Sequence, residues 1–179
     1  MDGLIGEGSL VPLRASSLPE SLTKLRALLD EAAVKRTLIP LPEPAEQPEQ
    51  MAVALALPLR VVARSVLARA DGDLLVLIAP GDRKIDLRRV APLVGAQRVT
   101  LVGAERGRQH EAAGPALVTG LPTLIDSALL VLEYVYGPSG DPHYVLRLTP
   151  KALRKAAHAI CGEITRSATL QAAGERKAD

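Results

Sequence analysis

Apolar residues recur along this chain with two different periods, and the changes of period mark its elements. Over 17–34, SLPESLTKLRALLDEAAV, Leu22, Leu25, Leu28 and Leu29 fall on one helical face behind a Ser, Pro and Glu start. That spacing predicts an amphipathic helix. The following TLIPLPEPAEQPEQ sets Pro40, Pro42, Pro44 and Pro48 too close together for a helix to begin before Pro48, so it reads as an extended edge strand or loop. A short helix to Leu57, a turn at Pro58 and an apolar strand-like run then lead to the turn dipeptide Asp71-Gly72. DLLVLIAP is a short buried strand. DRKIDLRRVAPLVG is a strand end running into a helix that Asp86 caps and Gly95 closes, and QRVTLVG is a further strand. After an irregular stretch, 103–120, come PTLID, a helix or turn through SALLVLEYVYG, a hairpin-like GPSGDP and the strand HYVLRL. A final helix spans TPKALRKAAHAICGEI, with Thr149 as N-cap and Pro150 in its first position.

Several short strands mixed with a few helices predict an α+β fold: a single domain on a mixed sheet with flanking helices. Residues 1–16, rich in Gly and Ser, are expected to be loose, 17–164 to form the domain, and 165–179 to be a tail. The length of 179 residues and an apolar share of 47% suit one sizeable core.

Composition narrows the function. Aromatic residues make up 2% of the chain, with no Phe or Trp, so the stacking platforms of single-strand-binding modules are missing. A net charge of +2 argues against wholesale coating of nucleic acid but leaves local contact open. Cys161 stands alone, which excludes an internal disulfide and a cysteine-rich zinc site and reads as a buried structural thiol. No segment approaches the ~18 apolar residues of a membrane span, and no leader-like run opens the chain, so a cytoplasmic protein with no membrane contact is expected.

Candidate chemistry is sparse. GPSGDP has glycines but no following lysine, and therefore does not read as a phosphate loop. His110, His143 and His158 lie far apart without carboxylate spacing, so neither a metal nor another cofactor is expected. There is no G-x-S-x-G elbow. Arg64, beside Ser65 in VVARSVL, puts a guanidinium inside an apolar strand, where it either pairs with an acid or holds an anionic ligand. Arg83, Lys84, Arg88 and Arg89 form either a solvated face or a phosphate contact. Asp126, at the end of the apolar PTLID run, is either a turn cap or a member of a site.

The order of three segments carries a resemblance: VVARSVLARADGDLLVLIAPGDRKIDLRRVAPLVGAQRVTL, then LPTLIDSALL, then YVYGPSGDPHYVLRLTPKAL. Over roughly 20–162 the chain resembles the YbaK and prolyl-tRNA-synthetase-associated family of aminoacyl-tRNA deacylases. The resemblance implies a mixed α/β fold whose pocket takes the aminoacyl end of a mischarged tRNA and hydrolyses its ester in trans. In this family a lysine opens a K-[ST] motif, a glycine-rich loop presents backbone N–H groups to the ester, and RNA hydroxyls help activate water. Oriented donors and a placed water can lower an ester's barrier without a triad.

Carried over, Arg64 stands at the lysine position and Ser65 at the hydroxyl. Gly107, Gly114 and Pro115 fall in the loop, where Glu111, Ala112 and Ala113 replace glycine-rich sequence, while Asp126 and Gly137 match the I-D and glycine-turn positions. The resemblance thus implies Arg64, Gly114 and Asp126 as the catalytic set, with Ser65, Gly107, Pro115 and Gly137 binding substrate. Arg64 would hold phosphate or ribose and Asp126 would brace the pocket. The Arg83, Lys84, Arg88 and Arg89 cluster would meet the acceptor stem. The implied partner is the aminoacyl-tRNA acceptor end, with an aminoacyl-tRNA synthetase as a candidate second partner. Two rival readings stay open: a tRNA-binding or regulatory module that has lost the chemistry, and hydrolysis of another small acyl ester.

Overall fold

The computed structural model describes residues 19–102 and 114–166. Helix α1, Glu20–Glu31, follows Pro19 and buries Leu22, Leu25 and Leu29. Each such side chain contributes about 1.5–3 kcal/mol when withdrawn from water. Strand β1, Thr37–Pro40, is followed by α2, Pro48–Leu55. Gln47 and Gln50 form a capping box at the start of α2, and Pro48 occupies its first turn. A 3₁₀ turn, Leu59–Val61, leads into β2, Ala63–Ala70. β2 turns through Asp71 and Gly72, both at positive φ, into β3, Asp73–Pro80, as the Asp-Gly signal requires.

The chain continues through β4, Lys84–Ile85, and α3, Leu87–Val94. Asp86 caps α3 by accepting the Arg88 N–H at 3.1 Å, and Gly95 closes it at φ 67°. β5 is Val99–Leu101, β6 is Thr123–Asp126, and the sequence after β6 forms a 3₁₀ turn, Ser127–Leu129. β7, Val135–Pro138, and β8, Tyr144–Leu148, make the expected hairpin. Helix α4, Pro150–Ala156, is capped by Thr149. β9, Ile160–Gly162, and β10, Thr165–Arg166, follow it.

The expected long final helix is therefore corrected. It stops at Ala156 because His158 takes a left-handed conformation, φ 47°, after which Ile160, Cys161 and Gly162 pair in parallel with Leu124, Ile125 and Asp126. A sheet edge can override a modest helix preference, since Ile and Cys are poor helix formers. Pairing also runs beyond residue 164, where Thr165 and Arg166 meet Ile85 and Lys84.

The main sheet has the order β5-β2-β3-β6-β9, antiparallel up to β3 and parallel from there. A second sheet has the order β1-β8-β7, and β1 is an edge strand as its prolines require. The largest core unites α1 and α4 with side chains of β7, β8 and one face of the main sheet. The other face packs Ala68, Leu75, Leu77 and Leu124 against Val90 of α3 and Ile164. A third cluster joins Met51 and Ala52 of α2 to Val62 and Val145. The result is the α+β mixed-sheet fold expected. No described helix is long and apolar enough to cross a membrane.

Asp71 fastens the hairpin to the approach to β5. Its carboxylate accepts the N–H groups of Gln97 and Arg98, each at 2.9 Å, and these bonds hold its pKa below the ordinary value. A carboxylate lowered on folding stabilises the fold above its unfolded pKa, and that stabilisation disappears as pH falls through the folded value. Urea unfolding should therefore show wild-type stability falling more steeply below about pH 4 than that of Asp71→Asn, because Asn tolerates positive φ but does not titrate.

Candidate functional site

The site grows from a stretch of strand β2 that, among the described residues, has a partner strand on one side only. On one side β2 pairs with β3 along its whole length, Ala63 with Pro80 through to Ala70 with Asp73. On the other side β5 reaches only Ala68, Arg69 and Ala70, while Val62, just before β2, forms a parallel bridge with Tyr136 of β7. Val102 N–H donates to the Leu67 carbonyl at 2.9 Å, so Leu67 turns its polar groups away from β3. Alternation along the ladder turns Ser65 the same way and directs Arg64 and Val66 toward β3. The backbone N–H and C=O of Ser65 thus point into the gap where β5 and β7 diverge.

Gly114 and Pro115 close on that gap. Ser65 Oγ donates to the Pro115 carbonyl. A Cβ on Gly114 would overlap the Ser65 carbonyl oxygen and stand 2.7 Å from its Oγ, so only glycine permits this approach. The segment then joins β7, where Leu117 N–H donates to Pro138 at 2.9 Å. Gly137 leaves room for Leu117, since a Cβ there would lie 2.7 Å from Leu117 Cδ1. Four predicted residues, Ser65, Gly114, Pro115 and Gly137, are thereby gathered beside one strand.

Arg64 projects from the opposite face of β2, because consecutive strand residues alternate. Its Nη2 donates to Glu49 Oε1 at 2.8 Å and to the Gly81 carbonyl at 3.3 Å. Glu49 belongs to the first turn of α2, and Gly81 ends the run out of β3. Gly81 is itself sterically required: a Cβ would come 2.7 Å from the Val62 carbonyl and 2.8 Å from Leu59 Cδ1. Sequence reasoning missed both residues. Glu49 looks like a helix-start acid fifteen positions away. The Pro80-Gly81 pair was the one legible signal of a close backbone approach.

Asp126 lies elsewhere. It is fully buried at the end of β6, with β3 between it and β2. One oxygen accepts the Ala128 N–H at 2.8 Å, capping the 3₁₀ turn, and the other accepts the Ile164 N–H at 2.9 Å. Its carboxylate thus ties β6 to the chain beyond β9, while Arg64 is bound to Glu49. Gly107, with Glu111, Ala112 and Ala113, lies outside the described residues.

The basic cluster divides. Arg89 is held by Glu163 at 2.9 Å and approaches Asp86, which also takes Arg166. Lys84 and Arg88 are exposed and Arg83 half-buried, and none of the three forms an ion pair among the described residues. No group of His, Cys, Asp and Glu suited to a metal occurs among the described residues. Ser65 spends its hydroxyl proton on Pro115, so the chemistry available here is orientation by donors: the Ser65 edge and the remaining guanidinium N–H groups.

Comparison with known proteins identifies the family. The model of the aminoacyl-tRNA editing domain matches residues 42–156. That span contains Glu49, the whole of β2 and β3, the Gly114-Pro115 segment and Gly137. The chain belongs to the aminoacyl-tRNA editing domain family. A crystal structure of a proposed trans-editing enzyme for prolyl tRNA synthetase is similar to it at TM-score 0.69 and 22% identity, over 84% of this chain and 100% of that one. The hypothetical protein APE2540 is similar at TM-score 0.70 and 19% identity, over 80% and 99% of the two chains. A proposed signal transduction protein from Marinobacter aquaeolei VT8 is similar at TM-score 0.56 and 20% identity, over 83% of this chain but 31% of that one. These likenesses establish the fold. No curated protein matches the chain.

Two substitutions test the assigned roles. Asp126→Ala strands the buried Ile164 N–H and removes a cap, and should lower unfolding free energy by roughly 2–4 kcal/mol in urea titrations. Gly114→Ala should shift the amide resonances of Ser65 and Leu117 while leaving those of α3 in place, because the added methyl displaces only the segment lying on β2.

Proposed function

We propose that this chain is an aminoacyl-tRNA deacylase acting in trans on the ester of a mischarged tRNA. The observation that carries the reading is the glycine-dependent approach of Gly114-Pro115 to the buried Ser65, one residue from the part-exposed Arg64, inside the span matched by the editing-domain family. In this reading the ester lies beside the Gly114-Pro115 segment, within reach of Arg64. Backbone donors steady its carbonyl, and the Arg64 guanidinium orients the terminal ribose through the N–H groups that Glu49 and Gly81 leave over. Water adds to the carbonyl carbon, the bond to the ribose oxygen breaks, and that oxygen takes a proton, leaving a free amino acid and an uncharged tRNA. The terminal ribose hydroxyl assists the water, which suits a site whose one serine hydroxyl is already committed. Lys84, Arg83 and Arg88 meet the acceptor-stem phosphates, and a synthetase supplies the charged tRNA.

A second reading is favoured by one observation: Arg64 replaces lysine and is already paired with an acid. On it, the chain binds the acceptor end without hydrolysis. The amino acid released from tRNAs charged with Ala, Cys, Ser, Thr and Pro separates the two. The deacylase reading expects release from at least one tRNA and a loss of tenfold or more in kcat/KM for Arg64→Ala with the melting temperature preserved. Binding without release would establish the second reading, and absence of both would remove tRNA from the account. Replacing Lys84 and Arg88 by Ala should weaken tRNA binding and flatten its salt dependence by about two units of slope.

A further inference from the structure

We propose that Glu49 receives the α-ammonium of the aminoacyl group, making the Glu49-Arg64 pair a reader of the aminoacyl end; the inference rests on the deacylase reading of this site. Both contacts of Arg64 pass through Nη2, so among the described residues Nε and Nη1 remain as donors. Glu49 uses Oε1 alone, while Oε2 has no hydrogen-bond partner among the described residues and the side chain is 54% exposed. Helix α2 does not need this acid as a cap, because Gln47 and Gln50 supply the capping box. The Gly81 carbonyl gives the guanidinium a second anchor, so the pair keeps a defined orientation.

The charges decide which ligand suits the pair. A guanidinium neutralised by a carboxylate at 2.8 Å is a weak phosphate site, since an incoming anion meets the acid as well as the base. A group with a cation next to a hydrogen-bond acceptor fits far better. An aminoacyl ester is such a group: its ammonium sits on the carbon bonded to the ester carbonyl. The ammonium goes to Glu49 Oε2 and the ester or ribose oxygen to the free donors of Arg64. Glu49 then distinguishes a free amino acid ester from an N-blocked one, whose nitrogen is uncharged.

The test uses 3′-aminoacylamino-3′-deoxyadenosines, non-hydrolysable mimics of the aminoacyl end, made with Ala, Cys, Ser and Thr. Each carries a free, an N-methylated or an N-acetylated amino group, and its binding to the full chain is measured by calorimetry beside deacylation of the corresponding tRNAs. The free and methylated forms, both cationic, should bind at least about tenfold tighter than the acetylated form, the scale of a charge-assisted hydrogen bond. Glu49→Gln keeps an acceptor for Arg64 but loses the charge, so it should bind all three forms within about threefold at an unchanged melting temperature. Retention of the preference by Glu49→Gln would overturn the inference. So would a wild-type chain that deacylates tRNA yet binds the three forms alike, in which case the deacylase reading stands and Glu49 only positions Arg64. A chain that neither binds any mimic nor deacylates any tRNA loses both.

Discussion

Among the described residues strand β2 is paired on both sides over only part of its length, and the organisation of the candidate site follows from that constraint. β3 covers one side completely, whereas β5 and β7 approach the other side from opposite ends and leave the Ser65 region between them. An exposed strand edge offers a row of backbone donors and acceptors, and proteins cover such edges or put them to use. Here the cover is partial: Gly114-Pro115 lies against Ser65 and is held there by a hydroxyl and by the absence of a side chain. Ser65 is thereby buried beneath this segment, and backbone donors held in place in this way can orient a small polar group without a nucleophilic triad.

The electrostatics of the two faces of β2 differ in kind. The Ser65 side chain lies on the face of β2 that carries the large apolar core, and its hydroxyl donates a neutral hydrogen bond to the segment above it. Arg64 faces outward into a half-exposed pair with Glu49, tied to the backbone at Gly81. Exposed ion pairs stabilise a fold only slightly, about 0–1 kcal/mol, so this one does little for the stability of α2. What it supplies is position: a planar guanidinium anchored at Nη2 that, among the described residues, keeps spare donors beside a carboxylate with a spare oxygen. Asp126 belongs to a different task, because a fully buried carboxyl group whose two oxygens each accept a backbone N–H is a tie between strands.

Much of the fold was legible wherever local chemistry and burial agreed. The four leucines of α1, the Asp71-Gly72 turn, the Asp86 and Gly95 ends of α3 and the Thr149-Pro150 start of α4 each carry their own physical reason and form where expected. The end of α4 was not legible, since AAHAICGEI has no helix-stopping residue before Gly162 and its strand exists only because β6 offers a parallel edge. Of the site, the adjacency of Arg64 and Ser65 was plain, yet the same adjacency sends their side chains to opposite faces.

The sequence by itself determined most of the elements and the mixed α+β class, because periodicity, capping and turn chemistry act over a few residues, while the order of three segments carried the family resemblance. Its reading of Asp126 left two choices, cap or site, and burial against the Ala128 and Ile164 N–H groups decided for the cap. Only tertiary structure could bring Glu49 and Gly81 to Arg64, or lay Gly114 on Ser65. Those contacts join residues far apart in the chain, and no local preference encodes them. They arise when the cores on the two faces of β2 close and fix how its neighbours diverge.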